Sequence, residues 1–208
     1  MSFALASPPA AEALLSPTTR YGNATARAFA ALPGPLLIEM RRFADARGVF
    51  AETWSRRDFL GLGLGCEFVQ DNWSRSERTG TVRGLHFQRP PHAQAKLVRV
   101  LRGAILDVAV DLRRSSPHFG EHVAVELVEG DGRMLFVPEG FAHGFCTLRP
   151  GTEVAYKVTD DYAPDCDGGV IWDDPDIGID WPVMPSEAVL SDKDARLPRL
   201  RDLPAVFA

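Results

Sequence analysis

No Cys-x-x-Cys pair occurs, and Cys66, Cys146 and Cys166 are widely spaced and odd in number. That removes a zinc ribbon and a disulfide framework, and leaves three reduced thiols as the expectation. No block of clustered lysine and arginine is present and the net charge is -5, so nothing draws the chain as a whole to nucleic acid. A small anion is still compatible, because a few inward-facing Arg and Lys side chains suffice to make a local positive pocket. No apolar stretch is long enough to span a bilayer. Residues 1–15 lack a basic leader and are interrupted by Pro8, Pro9 and Glu12, so they do not read as an export signal, and the cytoplasm is the expected location. No solenoid-length repeat is found. Helix is scarce: Ser55-Arg56-Arg57-Asp58-Phe59-Leu60 starts one, with Ser55 as its cap and the glycines of residues 61–65 as its stop.

What is present is the composition of an ordinary globular protein, 208 residues with 45% apolar and 25% charged. Residues 1–30 are rich in Ala, Pro, Ser and Thr and read as a loosely held arm, with a short helix near residues 10–15. Residues 31–208 read as one domain, ordered from about Leu36-Leu37-Ile38. Its body is a series of short β-rich runs separated by turns. Lys96-Leu97-Val98-Arg99-Val100-Leu101 precedes a tight Arg102-Gly103 connection. In the next run Leu106, Val108, Val110 and Leu112 share one face, and Ile105, Asp107, Ala109 and Asp111 the other. Residues 122–128, 134–137, 144–148 and 154–158 continue the series, with Gly130-Asp131-Gly132 as a hairpin signal. Evenly spaced strands with glycine turns predict an all-β, antiparallel barrel or double-sheet jelly roll. Beyond Ile171 the prolines Pro175, Pro182 and Pro185 predict turns and extended chain packed outside it.

Two segments, Gly80-Thr81-Val82-Arg83-Gly84-Leu85-His86-Phe87-Gln88 and Pro138-Glu139-Gly140-Phe141-Ala142-His143-Gly144, resemble the two halves of a cupin signature, which implies a cupin-type double-stranded β-helix. The metal-binding version needs a second histidine where Gln88 stands and a carboxylate near Ala93 and Gln94. His86 and His143 alone are a poor cage for a transition metal, so the expectation is no metal and no cofactor; a metal-dependent cupin is the alternative. An imidazole with an ordinary pKa near ~6.5 suits a general base, and Arg83 and Lys96 lie close to His86 in sequence.

The same segments, together with Asp45-Ala46-Arg47-Gly48-Val49-Phe50-Ala51-Glu52, Gln70-Asp71-Asn72-Trp73-Ser74, Tyr156-Lys157-Val158-Thr159-Asp160-Asp161-Tyr162-Ala163-Pro164, Gly178-Ile179-Asp180-Trp181-Pro182 and Leu190-Ser191-Asp192-Lys193-Asp194, resemble the dTDP-4-dehydrorhamnose 3,5-epimerase family from about residue 37 to 202. The resemblance implies an isomerase that inverts C3 and C5 of a dTDP-4-keto-6-deoxyhexose, a single-centre epimerase being the alternative. It implies His86 as the base, Tyr156 as the acid on the opposite face, Lys96 beside the C4 oxygen, and Asp194 as the partner of His86. It further implies that Arg47, Glu52, Gln70, Asn72, Arg83, His143, Tyr162 and Lys193 line a nucleotide-sugar pocket, with Tyr162 stacking on the base, and that the enzyme is a homodimer exchanging its N-terminal strand region. Asp107, on a β-run, rivals Asp194 as the partner of His86. Asp167 departs from the family by standing where glutamate is usual in Tyr-x-Pro-x-x-Glu, which shortens that contact by one methylene. The interval from Tyr156 to Lys193-Asp194 is slightly stretched.

Overall fold

The structure, a computed structural model, describes residues 14–207. Among the described residues are fourteen strands, β1 (Leu14–Tyr21), β2 (Ala24–Phe29), β3 (Leu36–Met40), β4 (Arg42–Asp45), β5 (Gly48–Ala51), β6 (Gln70–Ser76), β7 (Val82–Gln88), β8 (Lys96–Arg102), β9 (Ala104–Asp111), β10 (His122–Val128), β11 (Arg133–Val137), β12 (Phe141–Thr147), β13 (Thr152–Val158) and β14 (Asp167–Gly169), and one α-helix, α1 (Arg56–Gly61), between β5 and β6. A seven-stranded sheet in the order β1-β2-β3-β11-β8-β13-β6 faces a five-stranded sheet in the order β10-β9-β12-β7-β14, and β4-β5 stands apart as a hairpin. Every strand pairing is antiparallel. The expected all-β jelly roll with little helix is what the chain forms.

Alternation explains the layers. Ile105 and Ala109 of β9 join Val98 and Val100 of β8, Phe141 and Phe145 of β12 and Val154 of β13 in the core between the sheets. The other face of β9, with Leu106, Val108 and Val110, is buried too, because Val170, Ile177, Leu200 and Phe207 of the C-terminal tail cover it. A strand buried on both faces has few neighbours that can carry charge, which makes Asp107 and Asp111 conspicuous: each has 0% exposure. Asp111 is accounted for locally, accepting hydrogen bonds from Arg113 and Ser116. The outer face of the larger sheet is closed by Phe59 of α1 and by Leu62 just beyond its end. Ser55 occupies the N-cap position there without a side-chain cap bond.

The N-terminal expectation needs correction. The chain is in sheet from Leu14, long before residue 36: β1 pairs with β2 and β2 with β3. Ala24 and Ala26 are buried against Ile38 and Met40, so small residues of weak intrinsic preference become strands because β3 gives them a partner. The Gly22 turn between β1 and β2 is pinned by buried Asp58, which accepts from the Asn23 N–H at 2.9 Å. The helix expected near residues 10–15 falls mainly outside the described residues, and where they begin, at Leu14, the chain is strand. Among the described residues no helix is long and apolar enough to cross a membrane.

Candidate active site

At one end of the sandwich the apolar core gives way to polar side chains on the same inward positions. Lys96 continues the Val98 and Val100 face of β8, Tyr156 the Val154 face of β13, His143 lies between Phe141 and Phe145 on β12, and Asp107 between Ile105 and Ala109 on β9. Lys96, Tyr156 and His143 border a cavity of about 470 Å³ that also takes in Ser74, Arg83, His86, Ser191, Lys193 and Asp194, and Asp107 lies buried behind His143. A second cavity of about 360 Å³ shares His86, Lys96, Tyr156 and Lys193 with the first, and adds Gln70, Asn72, Tyr162 and Asp167. Their sizes suit a small-molecule ligand.

Strand β7 needs an irregularity to serve this site. Arg83 and His86 are an odd number of positions apart, so simple alternation would turn them to opposite faces. The pairing with β12 skips: His143 opposes His86, yet Phe145 opposes Arg83, so β7 carries one extra residue. This bulge lets both side chains reach the cavity. It also demands glycine. Gly84 has φ +129°, and a Cβ there would fall 2.6 Å from the Gly144 Cα and 2.8 Å from the His143 carbonyl oxygen.

The tail supplies the partner of His86. Val189 bridges to Thr81 in parallel, its N–H donating to the Gly80 carbonyl while its own carbonyl accepts from Val82. That contact lays residues 189–194 beside the start of β7. Asp194 then sits 4% exposed, with Oδ1 2.7 Å from His86 Nε2 and Oδ2 accepting from the Gly84 N–H at 3.3 Å. Burial pushes the Asp194 carboxyl up, but the His86 hydrogen bond and charge, with Gly84 and Ser191, outweigh it and hold it low. A carboxylate can only accept, so Nε2 carries the hydrogen and Nδ1 the lone pair. The rivalry between Asp194 and Asp107 is thereby resolved geometrically: Asp107 Oδ1 lies 2.7 Å from His143 Nε2 instead.

Lys96 is 9% exposed and its Nζ donates only to the His86 carbonyl, at 3.4 Å, among the described residues. Burial drives its ammonium down to about 8, against the pull of Asp107 and Asp167. It remains mainly a cation at neutral pH. Burial raises the Tyr156 phenol, with the Arg83 charge opposing, so the neutral O–H persists. Burial lowers the His143 imidazole against the pull of Asp107.

At the rim, Tyr162 is 58% exposed, its hydroxyl donating to Asp167 Oδ2 at 3.3 Å and its N–H to Gln70 Oε1 at 3.1 Å. Gln70 Nε2 donates to Asn72 Oδ1 at 2.8 Å. Lys193 pairs with Asp167, which holds its ammonium above the usual value despite a burial cost. Gln88, where a metal-binding cupin would have histidine, spends its amide on the His92 and Asp161 carbonyls and the Ala163 N–H. Among the described residues no group of three His, Cys, Asp or Glu side chains is disposed to hold a metal ion.

Two expected pocket residues are not brought here within one chain. Arg47 sits at the turn of the β4-β5 hairpin with its side chain 90% exposed, gripped by Asp45, and Glu52 follows the same hairpin. Neither borders either cavity, because the hairpin pairs only with itself. Sequence reading also missed Ser74 and Ser191. Ser74 shares the even-numbered face of β6 with Gln70 and Asn72, so alternation was sufficient to find it; Ser191 becomes visible only once the tail is folded back.

The family model described as dTDP-4-dehydrorhamnose 3,5-epimerase matches residues 30–202. The dTDP-4-dehydrorhamnose 3,5-epimerase of Sinorhizobium fredii is 52% identical over 175 residues, covering 82% of this chain and 87% of that protein. The crystal structure of the Bacillus anthracis enzyme of that name, with TDP and pyrophosphate bound, is 50% identical, with TM-score 0.77 over 79% of this chain and 93% of its own. That of the Legionella pneumophila dTDP-6-deoxy-D-glucose-3,5-epimerase, in complex with dTDP-4-keto-L-rhamnose, is 42% identical, with TM-score 0.77 over 82% and 90% of the two chains. With the fold, the paired imidazole and carboxylate and the facing phenol all present, this chain belongs to the dTDP-4-dehydrorhamnose 3,5-epimerase family.

Proposed function

We propose that the protein epimerises C3 and C5 of a dTDP-4-keto-6-deoxyhexose, converting dTDP-4-dehydro-6-deoxyglucose to dTDP-4-dehydrorhamnose. The observation that carries the reading is the placement of His86 and Tyr156 on different sheets, β7 and β13, so that imidazole and phenol border one cavity from opposite walls with the Lys96 ammonium beside them. Inversion of a carbon centre requires this: one group removes a proton from one face and another returns one to the other face. C3 and C5 both flank the C4 ketone, so a single enolate-stabilising cation serves both. His86 Nδ1 takes the proton, and Asp194 holds the ring in the tautomer that leaves this nitrogen free and supports the imidazolium that forms. Lys96 faces the charge that grows on the C4 oxygen, in a buried setting where it acts more strongly than in water. Tyr156 supplies the proton at the opposite face.

The diphosphate falls to Arg83 and Lys193, and the nucleoside to the second cavity, where Tyr162 offers a ring for stacking. Arg47 and Glu52 enter as a second copy's contribution. The β4-β5 hairpin exposes Phe43, Val49 and Phe50 at 40%, 67% and 69%, an apolar surface that a homodimer would cover. In this reading the hairpin delivers Arg47 to the partner subunit's pocket.

Incubation with dTDP-4-keto-6-deoxyglucose in heavy water, followed by NMR, tests the assignment. Deuterium enters both C3 and C5, and His86→Asn lowers both rates by about 10²–10⁴-fold. Full exchange in that variant refutes His86 as base; exchange at one carbon only makes the enzyme a single-centre epimerase.

A further inference from the structure

The second imidazole–carboxylate pair is not explained by the roles above. Asp107 has 0% exposure and spends Oδ1 on His143, yet its Oδ2 is buried with no hydrogen-bond partner. A buried carboxylate oxygen left unpaired is costly, and its retention calls for a compensating charge. Lys96, buried on the facing sheet and within the electrostatic reach of Asp107, has the complementary deficit. Lys96 has three donors, of which one makes a long bond to the His86 carbonyl and the others have no partner among the described residues.

We propose that Asp107 is a positioning residue for the reaction, its free oxygen supplying the negative charge that keeps Lys96 in its cationic, enolate-stabilising form, while its other oxygen fixes the hydrogen of His143 on Nε2. The inference rests on the enolate reading of the site. The charged and titratable groups bordering the cavities beside Lys96 are Asp167 on β14, Lys193 and Asp194 on the tail, Arg83 and His86 on β7, His143 on β12, Tyr156 on β13 and Tyr162. Of these Lys193 opposes the ammonium and Asp167 supports it, but Asp107 is the stronger support. Asp167 is moreover already committed to Lys193 and Tyr162. His143, held neutral by burial, adds no charge of its own.

The chain has only three lysines, Lys96, Lys157 and Lys193, so NMR titration of the full protein labelled at lysine Cε reads Lys96 directly. The wild-type midpoint is about 8. In Asp107→Asn it falls by about one unit or more, and the alkaline limb of the exchange rate moves down with it. The loss of rate is then about five times larger at pH 8 than at pH 6, the ratio of protonated fractions for midpoints one unit apart. Asp107→Glu restores the charge and returns both readouts toward wild type. An unmoved Lys96 midpoint, or a loss independent of pH, makes Asp107 a packing residue and overturns the proposal. If the Asn variant does not fold, His143→Gln keeps the carboxylate and should keep the Lys96 midpoint at or above the wild-type value; a fall there transfers the role to the imidazole and also overturns it. Coupling of Lys96 to Asp107 without deuterium exchange in the wild type sinks the enolate reading while leaving the coupling intact.

Discussion

Replacing Lys96 by methionine should stabilise the protein while abolishing its chemistry. The side chain is 9% exposed, and its ammonium falls from 10.5 to about 8 in the folded state. At ~1.4 kcal/mol per pH unit, that drop corresponds to about 3 kcal/mol of folding free energy spent on keeping a cation in the cavity wall. The attraction of Asp107 and Asp167 is already included in this net figure. Methionine fills a similar volume with no charge, so Lys96→Met should unfold at higher denaturant, by up to about 3 kcal/mol at pH 7. The dependence on pH is the sharper signature. Between about 8 and 10.5 the unfolded chain binds a proton at Lys96 that the folded chain has released, so wild-type stability rises with pH across this window. The advantage of Lys96→Met is therefore largest below pH 8 and shrinks toward zero near pH 10.5. Urea unfolding at pH 7 and pH 9.5, with deuterium exchange measured alongside, is the assay. A variant less stable than wild type at pH 7, or a gain unchanged at pH 9.5, would refute the reasoning.

Gly84→Ala should destabilise the fold by about 3 kcal/mol or more, because backbone atoms of β12 lie in the path of the new Cβ and the residue has positive φ; a urea midpoint within 1 kcal/mol of wild type would contradict the bulge argument. Cys146 is fully buried and its thiol is pushed up to about 12 by burial, so it should resist iodoacetamide at pH 8 in the native protein and react only on unfolding; mass spectrometry after a short pulse reads this, and native alkylation would show the packing of Val82, Cys146 and Trp172 to be looser than described.

Parts of this architecture could be read before any coordinates. The run at residues 122–128 is β10 residue for residue, and alternation on β9 correctly set Asp107 apart from Val108 and Leu106. Local patterns carry that information because strand period and turn glycines act over a few residues. The missed pieces depend on distant partners. β1 and β2 look like a loose arm until β3 offers an edge. Asp194 finds His86 across 108 residues of chain, a contact that no local spacing encodes, and Asp107 looked equally suitable until its neighbour on β12 was known. The motif around Arg47 is legible in the sequence, but nothing local to it tells that its hairpin stands away from the cavities of its own chain.

The extra residue in β7 has a meaning for anyone who would transplant or redesign this pocket. Copying the side chains onto a regular strand would not be enough, since Arg83 would then point away from the space His86 faces. Restoring regular pairing with β12 while keeping every residue between them would leave each named group in the sequence and still turn Arg83 and His86 to opposite faces. The site is encoded as much by a miscount in the backbone as by the chemistry of its residues.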